Sequence, residues 1–172
     1  MVLKGTNQEF GRPYNRRIVL ETIRQHGPIA RADIARRVSL TVQTVSNIIR
    51  ELEDLEFVTG AREQPKGRGS PATSMTINPG GGHTIGVHVA QFQIEAALVD
   101  LAGSVISVEE RRINADDPEK AFAAIGELIG ELSRSGVKRL LGVGLAMPGP
   151  FDVESMSFVG PTTLEGWRGF PV

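Results

Sequence analysis

Residues 29–60 constrain this chain more than any other stretch: IARADIARRVSLTVQTVSNIIRELEDLEFVTG. In the first half, Ile34, Ala35 and Val38 fall on one face of a helix. Asp33 stands in the first turn, where a carboxylate meets the positive end of the helix dipole. In the second half, Val42, Val45, Ile48, Ile49, Leu52 and Leu55 recur at three- and four-residue spacing and form a continuous apolar stripe. Thr41 precedes the stripe as an N-cap or first-turn residue. The opposite face carries Gln43, Thr44, Ser46, Asn47 and Arg50. Two short amphipathic helices around a tight turn, the second opening on small polar side chains, have the form of a helix-turn-helix. A helix over residues 41–55 is about 22 Å long, enough to lie in a major groove.

Periodicity alone leaves a second reading open, an ordinary helical hairpin with a solvated polar face. The flanks favour the first. Upstream, residues 15–26 read as a third helix with apolar Ile18, Val19 and Ile23, ending at Gly27-Pro28. Downstream, Phe57-Val58-Thr59 and residues 73–77 read as two short strands around a polar, basic loop. Three helices followed by a two-stranded ribbon with a basic tip make a winged helix. The tip would lie along a DNA backbone or in the minor groove, where Arg is the favoured probe. Gln43, Thr44, Ser46 and Asn47 are then the candidates for base contact, since Gln and Asn can bond adenine N6 and N7 together. Arg31, Thr41, Arg50, Arg62, Lys66 and Arg68 are candidates for phosphate or minor-groove contact. Such contacts set affinity and salt dependence rather than sequence choice. Arg36 and Arg37 stay open, since either can sit on a face turned away from DNA.

Composition excludes several chemistries. The chain has no cysteine, hence no disulfide framework, no thiolate zinc site and no cysteine nucleophile. His26, His83 and His88 match no metal-ligand spacing. No metal, no cofactor and no catalytic group are expected. No apolar run approaches the ~20 residues that span a bilayer, and the N-terminus has no apolar segment of a secretion signal. No membrane and a cytoplasmic location are expected. Net charge is −1, but it is divided: residues 1–72 hold 12 Lys and Arg against 8 Asp and Glu, and residues 73–172 hold 7 against 12. A basic head joined to an acidic body fits a DNA-reading unit on one that does not bind DNA.

The break Asn78-Pro79-Gly80-Gly81-Gly82 stops both helix and strand. It divides the 172 residues into a winged helix-turn-helix domain at 1–77, a Gly-rich linker at 78–83 and a second segment at 84–172. The first residues, with Gly5, Gly11 and Pro13, are expected to form a loosely ordered arm. In the second segment, residues 84–89, 93–100 and 104–111 read as an antiparallel meander. Asp117-Pro118 starts a helix reaching Ser135-Gly136, with Phe122, Ile125, Leu128, Ile129 and Leu132 on its buried face. Residues 139–146 read as a fourth, buried strand entering the loop Met147-Pro148-Gly149-Pro150. The order β-β-β-α-β is that of half an actin-like or ribonuclease-H-like lobe, so the fold class is mixed α/β.

Taken together, the sequence resembles the N-terminal part of ROK-family (repressor, open reading frame, kinase) transcriptional regulators. The resemblance is carried by Gly5-Thr6-Asn7, Asn15, Gly27-Pro28-Ile29, Arg31-Ala32 and Gln43-Thr44-Val45-Ser46 in the head. It continues through Gly67-Arg68-Gly69-Ser70-Pro71, Asp100-Leu101-Ala102-Gly103, Pro148-Gly149-Pro150 and Gly166-Trp167. It implies a repressor of carbohydrate-metabolism genes that binds a double-stranded DNA operator as a homodimer, with a sugar or sugar-phosphate effector in intact relatives. Kinase members of the family carry an Asp-x-Gly-x-Thr phosphate loop after the first body strand. This chain has His88, Ala90 and Phe92 at those places, with neither the carboxylate nor the hydroxyl that phosphoryl transfer would use. It is therefore read as no enzyme, with a sugar kinase-like enzyme as the disfavoured alternative. Pro148, Gly149, Pro150, Asp152 and Trp167 form a sugar-facing loop on the family pattern, or a rigid turn with a packed Trp. The family's second lobe, with its catalytic aspartate, sugar contacts and zinc motif, has no counterpart in these 172 residues. The lobe is accordingly expected to be partial and truncated, with sugar sensing impaired. A third reading is a dominant-negative fragment that pairs with full-length relatives.

Overall fold

The computed structural model describes residues 11–62, 73–152, 154–155 and 157–170. The chain divides into two compact units, Met1–Gly81 and Gly82–Val172.

The first unit runs α1 (Gly11–His26), β1 (Ile29–Ala30), α2 (Arg31–Val38), α3 (Val42–Asp54), β2 (Val58–Arg62) and β3 (Thr73–Ile77). Its core is one cluster in which Ile18, Val19 and Ile23 of α1 meet Ile34, Ala35 and Val38 of α2. Val45, Ile48, Ile49 and Leu52 of α3 complete it with Val58 and Met75 from the sheet. Each large aliphatic side chain buried there contributes about 1.5–3 kcal/mol over leaving it in water. α1 already includes Gly11, upstream of the expected Asn15, and residues 1–10 of the expected arm lie outside the described residues. Gly11 and Arg12 therefore belong to a helix and not to the expected arm.

The ribbon is three-stranded, in the order β1-β3-β2. The two residues of β1 pair antiparallel with β3, Ile29 opposite Met75 and Ala30 opposite Ser74. The sequence reading missed this strand because two residues show no period. α2 ends on Ser39 in the left-handed region (φ 56°), and its N–H bonds the Ala35 carbonyl. α3 starts after Thr41, whose hydroxyl accepts from the Thr44 N–H at 3.1 Å, as the N-cap reading required. Val42 is half-exposed and not part of the buried stripe. In the first turn of α3 it lies outside the row Val45–Ile48–Ile49–Leu52 that meets the core.

The segment after β3 is bound to the first unit. The Asn78 side-chain amide donates to the Glu56 carbonyl at 2.7 Å, and a Cβ on Gly81 would stand 2.2 Å from that same oxygen. His83 already belongs to the next strand. The division between Gly81 and Gly82 thus falls inside the expected 78–83 linker.

The second unit holds β4 (His83–Ala90), β5 (Gln93–Asp100), β6 (Val105–Arg111), α4 (Pro118–Arg134), β7 (Leu140–Ala146), β8 (Phe151–Asp152) and β9 (Ser157–Phe158). The main sheet has the order β6-β5-β4-β7, antiparallel throughout except for parallel β4 and β7. This is the β-β-β-α-β order read from sequence. Ile85, Val87 and Val89 of β4 and Ile94, Ala96 and Leu98 of β5 bury one face of the sheet under Ile125, Leu128 and Leu132 of α4. Phe122, expected on that buried face, is partly exposed and stacks at 5.3 Å on Trp167. β7 corrects a larger expectation: it is exposed along its whole length rather than buried. It is an edge strand, and α4 packs on β5, β6 and β4, leaving Leu141, Val143 and Leu145 uncovered among the described residues.

Candidate nucleic-acid interface

α3 presents the residues that the sequence singled out, in an order that periodicity alone did not give. Gln43, Asn47 and Arg50 are exposed on one side of the helix. Gln43 and Asn47 are one turn apart, and the Gln43 amide donates to the Asn47 side-chain oxygen at 3.2 Å. That bond holds two amide groups side by side on the outer face. Gln43 keeps its acceptor oxygen and Asn47 its amide donors for a ligand, the pair of functions that the major-groove edge of a base requires. Arg50 stands next along the stripe and forms no ion pair among the described residues.

Two residues expected alongside them are less exposed. Thr44 is half-buried, and its hydroxyl lies 2.8 Å from the Thr41 hydroxyl. The two threonines close the first turn of α3 upon themselves. Ser46 is half-buried on the flank of the stripe.

Ion pairing sorts the cations. Arg31 is bound to Glu53 at 3.6 Å and is partly buried between α2 and the end of α3. It therefore ties two helices together, which the sequence could not reveal because its partner is distant along the chain. Arg12 bonds Glu51, and Arg36 bonds Asp33. Arg16 and Arg37 stand exposed with no ion pair among the described residues. They are solvent-facing cations that the sequence reading passed over or left open. Their place on the outer faces of α1 and α2 could have been found from the phase of the buried residues. Arg62 ends β2. Its side chain, with Lys66 and Arg68 of the expected wing tip, lies outside the described residues. An open groove of about 710 Å³ lies along α2, lined by His26, Pro28, Asp33, Arg36 and Arg37 among others. It includes none of the exposed α3 stripe.

In the second unit the residues of the expected sugar-facing loop are divided. Pro148, Gly149 and Pro150 follow β7, with Asp152 in β8. Asp152 accepts from the backbone N–H groups of Glu154 and Ser155, each at 3.2 Å, and from the Ser155 hydroxyl. Those bonds, the hydroxyl first, hold its carboxyl below the usual carboxylate range. Trp167 takes the packed alternative of the two readings. It is 0% exposed, and its indole N–H donates to the Ala115 carbonyl at 2.7 Å. Around it pack Phe122, Phe158 and Phe170. Where the family pattern would set a phosphate loop, His88 and Phe92 are exposed and Ala90 closes β4. The chain turns directly from Ala90 to Gln93 in a hairpin. Among the described residues no group of His, Cys, Asp and Glu is placed to hold a metal, and no helix is long and apolar enough to cross a membrane.

A three-helix head closed by a small antiparallel sheet, with polar side chains ranged along its third helix, is a winged helix-turn-helix. Residues 16–64 match the MarR family. Along nearly its whole length the chain is similar to the xylose repressor of Bacillus subtilis, 26% identical over 168 residues, covering 94% of this chain and 42% of that one. It is similar to the N-acetylglucosamine repressor of Escherichia coli, 25% identical over 167 residues, covering 94% and 41%. The crystal structure of a ROK family transcriptional regulator, a homolog of the Escherichia coli MLC protein, superposes with a TM-score of 0.66 at 21% identity. That match covers 93% of this chain and 44% of the other, and it carries the fold. The chain is thus similar over nearly its whole length to part of these transcriptional repressors, and it shares the fold of the ROK family regulator. It spans about two fifths of the length of the curated relatives it matches.

Proposed function

We propose that this chain is a sequence-specific DNA-binding transcriptional regulator, a repressor, that reads an operator with α3. The observation that carries the reading is the exposed row Gln43, Asn47 and Arg50 on the third helix of a winged-helix head. Two amides supply base-edge donors and acceptors, and an unpaired guanidinium supplies attraction to phosphate. Arg16 and Arg37 join Arg50 as backbone cations, Arg31 is structural, and Ser46 is a flank contact. Two such heads in a homodimer would place their recognition helices about 34 Å apart on an inverted repeat.

The relatives' names carry two different sugars, xylose and N-acetylglucosamine, which supports control of carbohydrate genes and leaves this chain's own effector to experiment. The Pro148-Gly149-Pro150 loop with Asp152 is the sugar-facing element of the reading, without Trp167. No catalytic role is assigned. Purified chain incubated with ATP and a panel of hexoses and pentoses is expected to release no ADP above a protein-free control, and turnover would overturn that assignment.

Selection from a random duplex pool by the 172-residue chain, followed by titration of the winning sequence against salt, tests the function. An inverted repeat with an affinity falling steeply as salt rises is expected. Enrichment of no sequence would overturn the proposal.

A further inference from the structure

Val42 is the large apolar side chain of α3 that remains in water, 50% exposed in the first turn of the helix. The fold gives no use for it. The core contact of α3 is made by Val45, Ile48, Ile49 and Leu52, and a β-branched residue is a weak helix former. At ~100° per residue, Val42 projects on the same side as Ser46 and Arg50, next to Gln43. The first turn of a recognition helix is the part that meets base edges. In the major groove those edges carry one apolar group, the C5-methyl of thymine.

We infer that Val42 reads a thymine methyl, a specificity contact that rests on the reading of α3 as the recognition helix. In free protein and free DNA, both the valine γ-methyls and the thymine methyl are hydrated. Bringing them together removes both from water, while a cytosine at the same position offers the valine no methyl. Gln43 and Asn47 then read hydrogen-bonding groups, and Val42 reads the presence of a methyl.

Deoxyuridine differs from thymidine only by that methyl, so the test changes the DNA before it changes the protein. Each thymine of the selected operator is replaced singly by uracil, and binding of the full chain is measured. One position per half-site is expected to lose about fourfold in affinity, the effect of removing one methyl-sized apolar group. Val42→Ser is expected to lose a similar factor on thymine DNA and to be indifferent to uracil at that position. Wild-type affinity unchanged on every uracil-substituted duplex would overturn the inference. So would a Val42→Ser chain that keeps the wild-type sensitivity to uracil. Specific binding that survives both results would leave α3 as the reading helix with no methyl contact. A wild-type chain that enriches no sequence overturns the α3 reading and this inference together.

Discussion

At Gly166 a Cβ would stand 1.9 Å from the Asp116 carbonyl oxygen, and the Gly166 N–H donates to the Asp116 carboxylate at 2.7 Å. Any side chain there must push two segments apart. Gly166→Ala is expected to destabilise the second unit by about 2 kcal/mol, read as a lower urea midpoint. Trp167 beside it fills the core and satisfies the Ala115 carbonyl. Trp167→Ala is expected to cost about 3–5 kcal/mol, with loss of the near-ultraviolet dichroism of a packed indole. Ser39 works in the other direction. It holds a left-handed conformation that favours glycine, so Ser39→Gly is expected to raise stability by about 0.5 kcal/mol after the entropy of the unfolded chain is counted. None of these roles shows in the sequence except as a plain Gly, Trp or Ser. Trp167 invites a sugar-binding reading because aromatic rings serve both purposes, and only its partners Ala115 and Phe158 decide between them.

Elements with a strong period were legible, and elements defined by pairing were not. α3 and α4 bury their apolar stripes except at Val42 and Phe122, and their N-caps, Thr41 and Asp117, stand where capping chemistry puts them. Thr41→Ala is expected to cost about 1 kcal/mol of stability, measured by thermal unfolding. β1 has two residues and exists only through its partner β3. β7 carries the continuous apolar run of a buried strand, yet its place at the sheet edge follows from topology and not from its own residues. The α4 cap also sets a pH dependence. Lys120, through its side chain and then its backbone N–H, holds the Asp117 carboxyl below its ordinary value. Glu21 is held down in the same sense by Arg24. A carboxyl depressed in the folded state contributes stability that is whole above its unfolded pKa, near ~4, and is lost as pH falls through the folded value. Urea midpoints are therefore expected to be insensitive to these two groups from pH 8 to 5 and to fall below about pH 4. A decline beginning near neutrality would contradict that assignment.

For the whole molecule, the division of charge was readable from composition, while the use of each charge was not. Arg31, one of the expected phosphate contacts, stands 3.6 Å from Glu53, a pairing that its sequence neighbours do not foretell. Among the described residues of the head, Arg16, Arg17, Arg37 and Arg50 are exposed and form no ion pair. The relatives that the chain resembles are named for different sugars, xylose and N-acetylglucosamine. The central claim is that the outer face of α3 selects bases. Parallel selections by the wild-type chain and by the Gln43→Ala, Asn47→Ala double variant test it most directly. The double variant is expected to select a motif relaxed at one or two base pairs per half-site, with the salt slope unchanged because no phosphate contact is removed. An unchanged motif, or a uniform loss of affinity across all sequences, would contradict it.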